Sequence, residues 1–315
     1  MRTGHFKKTT WARIDVPRPW IKATLNVPSR AANEYLYGDP NSACLAIPLA
    51  TEDSDIALID GAFKLLTSKD PGVRAHAWTD LCQVVGQRTR TCVFHQDLSA
   101  YMSGSDDGHL RIPASSSSIW SLARSASHRL GVFWLFDDGD YVSLSHADAS
   151  LQASKRTRVF RTLRTNLRKA RSEKLLSLQN QGKALECAAS ARASCHFFRD
   201  GSFTRFADWR FVHRARFNLV PLNGVRHGTD SERGCRRCNY NNETLPHVLC
   251  RCMRYSRLFQ QRHNAIVELI KKAASRRWNV LSENQAIEDL PLRPDLVFTR
   301  YDSCLILDIT VPFEN

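Results

Sequence analysis

Four residues with metal-ligating side chains lie within eighteen positions, in the pattern Cys235-x2-Cys238-x8-His247-x4-Cys252. A Cys-x2-Cys pair turns two thiolates onto one ion, and a His–Cys pair on a short helical turn supplies two further tetrahedral corners. Four protein ligands leave no open coordination position, so we predict a structural Zn2+ in a small zinc knuckle. Cys250 is an alternative fourth ligand. The alternative to metal binding is a group of reduced cysteines beside a core histidine.

Two aspartates near the C-terminus form a second candidate site. Asp295 begins one apolar run and Asp308 lies inside another, Cys304–Val311, with a turn at 301–303 between them. A hairpin of these runs places Asp295 opposite or diagonal to residues 308–310. Burying a carboxylate is costly, and two aspartates on adjacent strands fit Mg2+-dependent phosphodiester cleavage. The alternative is a strand-initiating aspartate with a second at a sheet rim.

A basic segment at 151–175 carries nine cations against one acid, Glu173. Apolar residues at helical spacing predict an amphipathic helix whose polar face contacts phosphates; the alternative is a solvated face. The nine candidate nucleic-acid-binding residues are Lys155, Arg156, Arg158, Arg161, Arg164, Arg168, Lys169, Arg171 and Lys174. Aromatic residues interleaved with arginines at 203–216 fit base stacking and core packing equally well. Four arginines beside the knuckle fit thiolate stabilisation and phosphate contact: Arg236, Arg237, Arg251 and Arg254.

The composition favours a polyanionic partner. The 315 residues carry a formal net charge of +14, with a pI of about 9.6, and the length predicts two or three domains. No run of about 18 apolar residues occurs, and residues 1–8 lack an apolar signal core. We therefore expect an intracellular protein without a membrane span, in which cysteines stay reduced.

Hydrophobic periodicity predicts a mainly α-helical chain. Apolar residues repeat at helical spacing through residues 53–90, with a break at Asp70-Pro71-Gly72. Residues 103–118 are rich in Ser, Gly and Asp and predict a loop. A strand or hairpin is predicted at 132–144, where Phe136–Asp140 is interpreted as a turn and not as the metal-binding turn of a polymerase.

In their order along the chain, these motifs resemble those in the C-terminal half of the polyprotein of site-specific non-LTR retrotransposons. In that family a reverse transcriptase precedes a Cys-Cys-His-Cys knuckle, and a restriction-like endonuclease of the PD-(D/E)xK class follows. The matching segments are Cys235–Cys252, Arg262-His263-Asn264, Arg293-Pro294-Asp295-Leu296-Val297 and Asp308-Ile309-Thr310-Val311-Pro312-Phe313-Glu314. The resemblance implies that Asp295 and Asp308 are catalytic, with Arg262, His263 and Glu314 as further candidates. Packing explains Arg262 and His263 equally well.

The N-terminal part resembles the polymerase thumb and following helical linker of the same family. The segments that carry this resemblance are Tyr35–Pro40, Ile47-Pro48 and Asp60–Ser68. It implies a fold of mainly α class, with a small zinc knuckle and an incomplete α/β C-terminal domain. The implied regions are a thumb-like helical region at 1–102, a loop at 103–118, a basic helical linker at 119–230, the knuckle at 231–255 and a truncated restriction-like endonuclease at 256–315.

Three departures from the family limit what the resemblance implies. The polymerase palm and fingers are absent, so we expect no DNA synthesis by this chain alone. Ala43-Cys44-Leu45-Ala46 stands where the family has Gly-Gly-Leu-Gly, which removes backbone freedom that glycine provides. The family's catalytic lysine lies beyond the segment matched by Val311–Glu314, and the sequence ends at Asn315.

We therefore expect a fragment of a reverse transcriptase/endonuclease polyprotein used in target-primed reverse transcription. Its partners would be DNA and RNA in the nucleus, its cofactors Zn2+ and, at a functional nuclease site, Mg2+. We expect cleavage to be weak or absent, and the resemblance leaves enzymatic activity open. The alternatives are a non-enzymatic zinc-dependent nucleic-acid-binding protein, with Asp295 and Asp308 structural, and a zinc-organised protein-interaction module.

Overall fold

The structure, a computed structural model, divides into two compact units, Met1–Arg210 and Phe211–Asn315. It describes residues 8–89, 92–107, 110, 118–137, 139, 141–179, 181–190, 204–225, 233–286 and 292–311. The described residues are mostly helical, which confirms the expectation of a mainly α protein, and both sheets are small and antiparallel. The finer five-region division stays a prediction.

The first unit is a helical assembly around one small sheet. Its helices are α1 (Lys8–Ile14), α2 (Arg18–Thr24), α3 (Glu34–Tyr37), α4 (Ala50–Leu66), α5 (Pro71–Thr89), α6 (His95–Met102), α7 (Ile119–Leu130), α8 (Val159–Leu176) and α9 (Gln181–Ser190). Short 3-10 turns cover Pro40–Ser42 and Ala153–Arg158. Phe63, Tyr101 and Trp120 are among the largest fully buried side chains of its core.

Helices α4 and α5 confirm the periodicity of residues 53–90. Ile56, Ile59 and Phe63 form the buried stripe of α4. The predicted break at residues 70–72 is the place where α5 begins. Proline suits this position because backbone N–H groups in the first turn of a helix have no partner within the helix. The Asp70 carboxylate accepts hydrogen bonds from the Gly72 and Val73 N–H groups at 2.8 and 3.1 Å.

The predicted hairpin is present as β1 (Phe133–Asp137) and β2 (Tyr141–His146), paired antiparallel. Gly139 at its turn has φ of +82°, a left-handed conformation that glycine adopts without strain. A third strand, β3 (Ala149–Gln152), extends the sheet and was not predicted. Asp138 and Asp140 of the turn lie outside the described residues.

The second unit combines the cysteine-rich segment with a helix and a three-stranded sheet. Its regular elements are α10 (Phe206–Arg216), most of which lies in this unit, α11 (Ser256–Ala274), β4 (Asn279–Glu283), β5 (Leu296–Arg300) and β6 (Ser303–Leu307). Shorter turns cover Asn223–Val225, the π-helix His247–Arg251 and Met253–Tyr255.

Strands β5 and β6 form the predicted C-terminal hairpin, with the turn at Tyr301 and Asp302. Strand β6 ends at Leu307, whereas the apolar run had predicted a strand to Val311. Strand β4 was not predicted, and it makes β5 the central strand. Val267 of α11 packs against Leu296 and Phe298 of β5, so the helix covers one face of this sheet.

Candidate functional site

The four predicted metal ligands come together in the second unit. The ligand atoms of Cys235, Cys238, His247 and Cys252 all lie within 4.8 Å of one another. The Cys235 and Cys252 sulfurs are 4.0 Å apart, and the Cys238 sulfur lies 3.3 Å from the His247 Nε2 atom. Tetrahedral Zn2+ bonds of about 2.3 Å to sulfur and 2.0–2.1 Å to nitrogen imply separations of about 3.8 and 3.6 Å. The donor set therefore fits one small tetrahedral ion.

The structure also distinguishes the two candidates for the fourth ligand. Cys252 is fully buried within the cluster. The Cys250 thiol instead lies 3.6 Å from the Val311 carbonyl, and the Arg262 guanidinium lies 3.9 Å from the Cys250 sulfur. The π-helical turn produces this result: the Cys252 N–H donates to the His247 carbonyl at 2.8 Å, which places Cys252 beside the imidazole.

A tight turn presents the first two cysteines. The Cys235 N–H donates to the Tyr240 carbonyl at 2.8 Å, and the Asn239 N–H donates to the Cys235 carbonyl at 3.0 Å. Asn239 adopts φ of +56°, which asparagine tolerates better than most residues. Burial raises the pKa of the Cys235 thiol, but N–H donors from Arg237 and Cys238 outweigh burial and lower the pKa. These donors favour the thiolate, the form that binds metal.

Glu243 is buried at the centre of the knuckle, with 3% of its surface exposed. Its carboxylate accepts hydrogen bonds from the Asn223 N–H at 2.9 Å, the Arg236 N–H at 3.2 Å and the Arg236 guanidinium at 2.9 Å. Burial alone would raise the pKa of Glu243, but these hydrogen bonds outweigh burial and lower the pKa. Glu243 thus stays ionised and ties residues before the cluster to its first turn.

Gly224 allows this close packing. A Cβ atom at residue 224 would lie 2.2 Å from the Asn242 side-chain oxygen and 2.7 Å from the Glu243 carbonyl. The Gly224 N–H also donates to that carbonyl at 3.0 Å. No local sequence pattern marked Gly224 or Glu243, because their partners are brought together only by the folded loop.

An aromatic stack covers the histidine of the Cys3His cluster. The Tyr240 ring lies nearly parallel to the His247 imidazole, with centroids 4.6 Å apart and an interplanar angle of 8°. His247 is buried, whereas Tyr240 is 56% exposed. Nearby, the Arg237 guanidinium donates to the Tyr255 hydroxyl at 3.2 Å.

The carboxylate site is only partly assembled among the described residues. An Asp295 carboxylate oxygen accepts the Ile309 N–H at 2.7 Å and lies 3.1 Å from the His263 Nε2 atom. Leu296 pairs with Leu307 across the hairpin, and Asp308, the residue after Leu307, is exposed. Asp295 therefore reaches the 308–310 stretch, as the hairpin predicted.

The other nuclease candidates have different surroundings. Asn264 is the main cause of the raised pKa of His263, and the Asp295 charge adds to it. The Arg262 guanidinium lies 5.8 Å from the centroid of the Phe259 ring. Glu314 lies outside the described residues. Within the described ranges, no group of three ligand atoms forms at Asp295 and Asp308. The catalytic roles stay predictions.

Helix α8 directs much of its basic face toward acids of the first unit. Arg164 makes two hydrogen bonds to Asp53, at 2.9 and 2.6 Å. Arg171 pairs with the buried Glu52. Other members of the predicted set are also engaged: Lys174 with Glu34, Lys169 with Glu173, Arg168 with the Ala46 carbonyl and Arg156 with the Lys64 carbonyl.

Three cations of this predicted set are exposed and are not engaged in an ion pair among the described residues. They are Lys155, Arg158 and Arg161. The helix predicted at 151–175 is amphipathic as expected, with Val159, Leu163 and Leu175 buried. It begins only at Val159, because the preceding residues form the end of β3 and a 3-10 turn. No local pattern indicated the ion pairs, because Glu52 and Asp53 lie more than 100 positions away in the sequence.

The aromatic and arginine-rich stretch at 203–216 has both exposed and buried rings, so base stacking stays a prediction. Phe206 is 61% exposed and stacks on Trp209, with ring centroids 5.8 Å apart. His213, one turn farther along α10, is fully buried. Phe203 lies outside the described residues.

The fold and site define a basic, mostly helical protein with a Cys3His cluster able to hold a metal ion. The chain is 30% identical over 155 residues to the "Retrovirus-related Pol polyprotein from type-1 retrotransposable element R2" of Popillia japonica. The match covers 48% of this chain and 32% of that polyprotein, so the chain spans about a third of the relative. No protein-family model matches the chain. The similarity supports an origin in a non-LTR retrotransposon.

None of the helices in the described ranges is both long and apolar enough to span a membrane.

Proposed function

We propose that this chain is the nucleic-acid-binding part of a non-LTR retrotransposon reverse transcriptase/endonuclease polyprotein. It would hold DNA and RNA during target-primed reverse transcription. The observation that carries the proposal is the convergence of four ligand atoms within 4.8 Å. Seven arginines and one acid, the buried Glu243, lie in the surrounding residues 233–267. The similarity to an R2 polyprotein supports the same conclusion.

The metal in this proposal is Zn2+ with a structural role. Cys235, Cys238, His247 and Cys252 would supply all four positions, so the ion stabilises the fold and performs no chemistry. Glu243 and Tyr240 would position the loop that carries these ligands.

Nucleic acid would bind through phosphate contacts made by two basic surfaces. On α8 and the turn before it, Lys155, Arg158 and Arg161 are free to contact phosphates. The remaining cations of the predicted set would mainly position the helix through their protein contacts. On the knuckle, Arg237 and other exposed arginines would contribute. Phosphate binding releases condensed counterions, so affinity should fall steeply with salt.

Nuclease activity is a second candidate function, favoured by one observation. The Asp295 carboxylate accepts the Ile309 N–H and lies 3.1 Å from the His263 Nε2 atom, next to the segment that contains Asp308. We propose that Asp295 and Asp308 contribute to a Mg2+ site for cleavage of target DNA. We expect weak activity from this chain, because among the described residues no group of three metal-ligating side chains gathers around Asp295.

One experiment tests the proposed function on the full chain. Zinc content is measured together with the affinity for single-stranded RNA and duplex DNA between 50 and 200 mM salt, a range over which phosphate-driven binding falls by orders of magnitude. The proposal predicts about one zinc per chain and strongly salt-dependent binding. Binding without salt dependence would instead favour a protein-interaction module.

A nicking assay separates the two functional classes. Metal-dependent nicking that Asp308→Ala abolishes would support an endonuclease. Binding without nicking would favour a non-enzymatic zinc-dependent binder. We also propose a nuclear location, where chromosomal target DNA lies.

A further inference from the structure

Tyr240 presents one ring face to solvent and the other to a metal ligand. Its ring stacks on the His247 imidazole at 4.6 Å and 8°, so His247 covers one face. With 56% of Tyr240 exposed, its opposite face is accessible. An exposed aromatic ring that is already fixed on one side loses little side-chain entropy when a second flat group stacks on it.

The backbone of Tyr240 is fixed by the same ligand set. Its carbonyl accepts the Cys235 N–H at 2.8 Å, and the preceding Asn239 donates to the Cys235 carbonyl. Tyr240 therefore contacts Cys235 through its backbone and His247 through its ring. Because both residues belong to the cluster, the order of Tyr240 depends on the integrity of that cluster.

The charge around Tyr240 suits a nucleic-acid strand. Glu243 is the sole acid in residues 233–267, and the half-exposed Arg236 neutralises its buried carboxylate. Arg237, three positions before Tyr240, is exposed, and the Tyr255 hydroxyl positions its guanidinium. Binding sites for single strands combine cations that contact phosphates with aromatic rings that stack on bases, and Arg237 and Tyr240 lie three positions apart in one exposed segment.

We propose that Tyr240 is a stacking platform for an unpaired nucleobase and that Arg237 contacts a phosphate of the same strand. This inference rests on the proposed zinc and nucleic-acid binding, and it adds the substrate class: a single-stranded or locally unpaired segment. In a paired duplex both base faces are occupied by neighbouring bases, so the platform excludes intact duplex.

The test uses the full chain and single-stranded oligonucleotides that carry one 2-aminopurine, whose fluorescence falls when the base stacks. The variants are Tyr240→Leu, which removes the aromatic face, and Tyr240→Phe, which retains it. Zinc content is measured for each protein. We expect fluorescence quenching with the wild type and Tyr240→Phe, and loss of quenching with about 10-fold weaker binding for Tyr240→Leu.

Equal quenching by Tyr240→Leu and the wild type, with zinc retained in both, would overturn the inference. If Tyr240→Leu loses zinc, the wild type is compared on oligonucleotides with and without an abasic position at the quenched site. About 10-fold weaker binding of the abasic strand supports the platform, and equal binding overturns it. Failure of the proposed function itself looks different: the wild type would then bind no zinc or no oligonucleotide.

Discussion

The Arg236 guanidinium lies 2.8 Å from the buried Glu243 carboxylate, and this pair closes the loop that carries the first two cysteines. Glu243 is 4% exposed at its side chain, whereas Arg236 is 54% exposed. The carboxylate is therefore the member whose loss matters most, because its removal leaves buried N–H groups without an acceptor.

Glu243→Gln should weaken zinc binding by about 10-fold, because groups behind metal ligands typically contribute 10- to 100-fold to affinity. Competition with a chromophoric zinc chelator measures the change. Glu268→Gln is the matched control, since Glu268 is 64% exposed on α11 and its partner Lys271 also pairs with Glu283. Equal zinc affinity of both variants would show that Glu243 does not support the cluster.

Ala46→Gly should stabilise the first unit by about 0.5–1 kcal/mol. Ala46 adopts φ of +55°, a left-handed conformation that costs an alanine about 1–2 kcal/mol, offset in part by the greater unfolded-state freedom of glycine. Ala170→Gly, on the exposed side of α8, should instead destabilise by about 1 kcal/mol. Chemical denaturation measures both, and a lower stability of Ala46→Gly contradicts the assigned backbone strain.

Arg161→Gln and Arg164→Gln should separate nucleic-acid binding from folding. Arg161 is exposed and unpaired among described residues. Its loss should remove about one phosphate contact, which lowers the slope of log affinity against log salt by about one, with little effect on stability. Arg164 bonds Asp53 through two nitrogens, so its loss should cost about 1 kcal/mol of stability. Salt titrations and urea denaturation test the pair; reversed effects would show that the phosphate-contacting face is wrongly assigned.

Stability should fall as the pH decreases from about 6.5 toward 4. Burial, with repulsion from Arg216, lowers the pKa of His213 to about 4, whereas an unfolded histidine titrates near its ordinary value of 6.5. The unfolded chain therefore takes up a proton before the folded chain does. The expected loss is about 3 kcal/mol at most, because one pKa unit corresponds to about 1.4 kcal/mol.

The measurement compares the pH dependence of unfolding in the wild type and His213→Phe at constant zinc. The variant should have a shallower dependence between pH 6.5 and 4. An identical slope in both proteins would mean that His213 does not titrate differently on folding.

The sequence correctly predicted the features that depend on residues close to one another in the chain. The ligand spacing predicted which four side chains converge, because two cysteines separated by two residues face one point on a turn. The stripe of Ile56, Ile59 and Phe63 identified α4, because the helical period places these residues on one face. The hairpin of β5 and β6 followed from two apolar runs and a short turn.

Other features depended on partners distant in sequence. The role of Arg164 required Asp53, 111 positions away, and a sequence pattern of cations cannot show which charges a fold will neutralise. The supporting role of Glu243 depends on contacts with Asn223 and Arg236 that form only in the folded loop. Strand β4 has an exposed face and weak alternation, so its pairing with β5 could not be predicted from its residues alone.

The most direct test of the account is zinc analysis of three purified chains: the wild type, Cys252→Ser and Cys250→Ser. The account predicts about one zinc for the wild type and for Cys250→Ser, with loss of tight binding in Cys252→Ser, because the cluster includes only the second of these cysteines. A wild-type chain that takes up no zinc, or equal zinc retention by Cys252→Ser and the wild type, would contradict it.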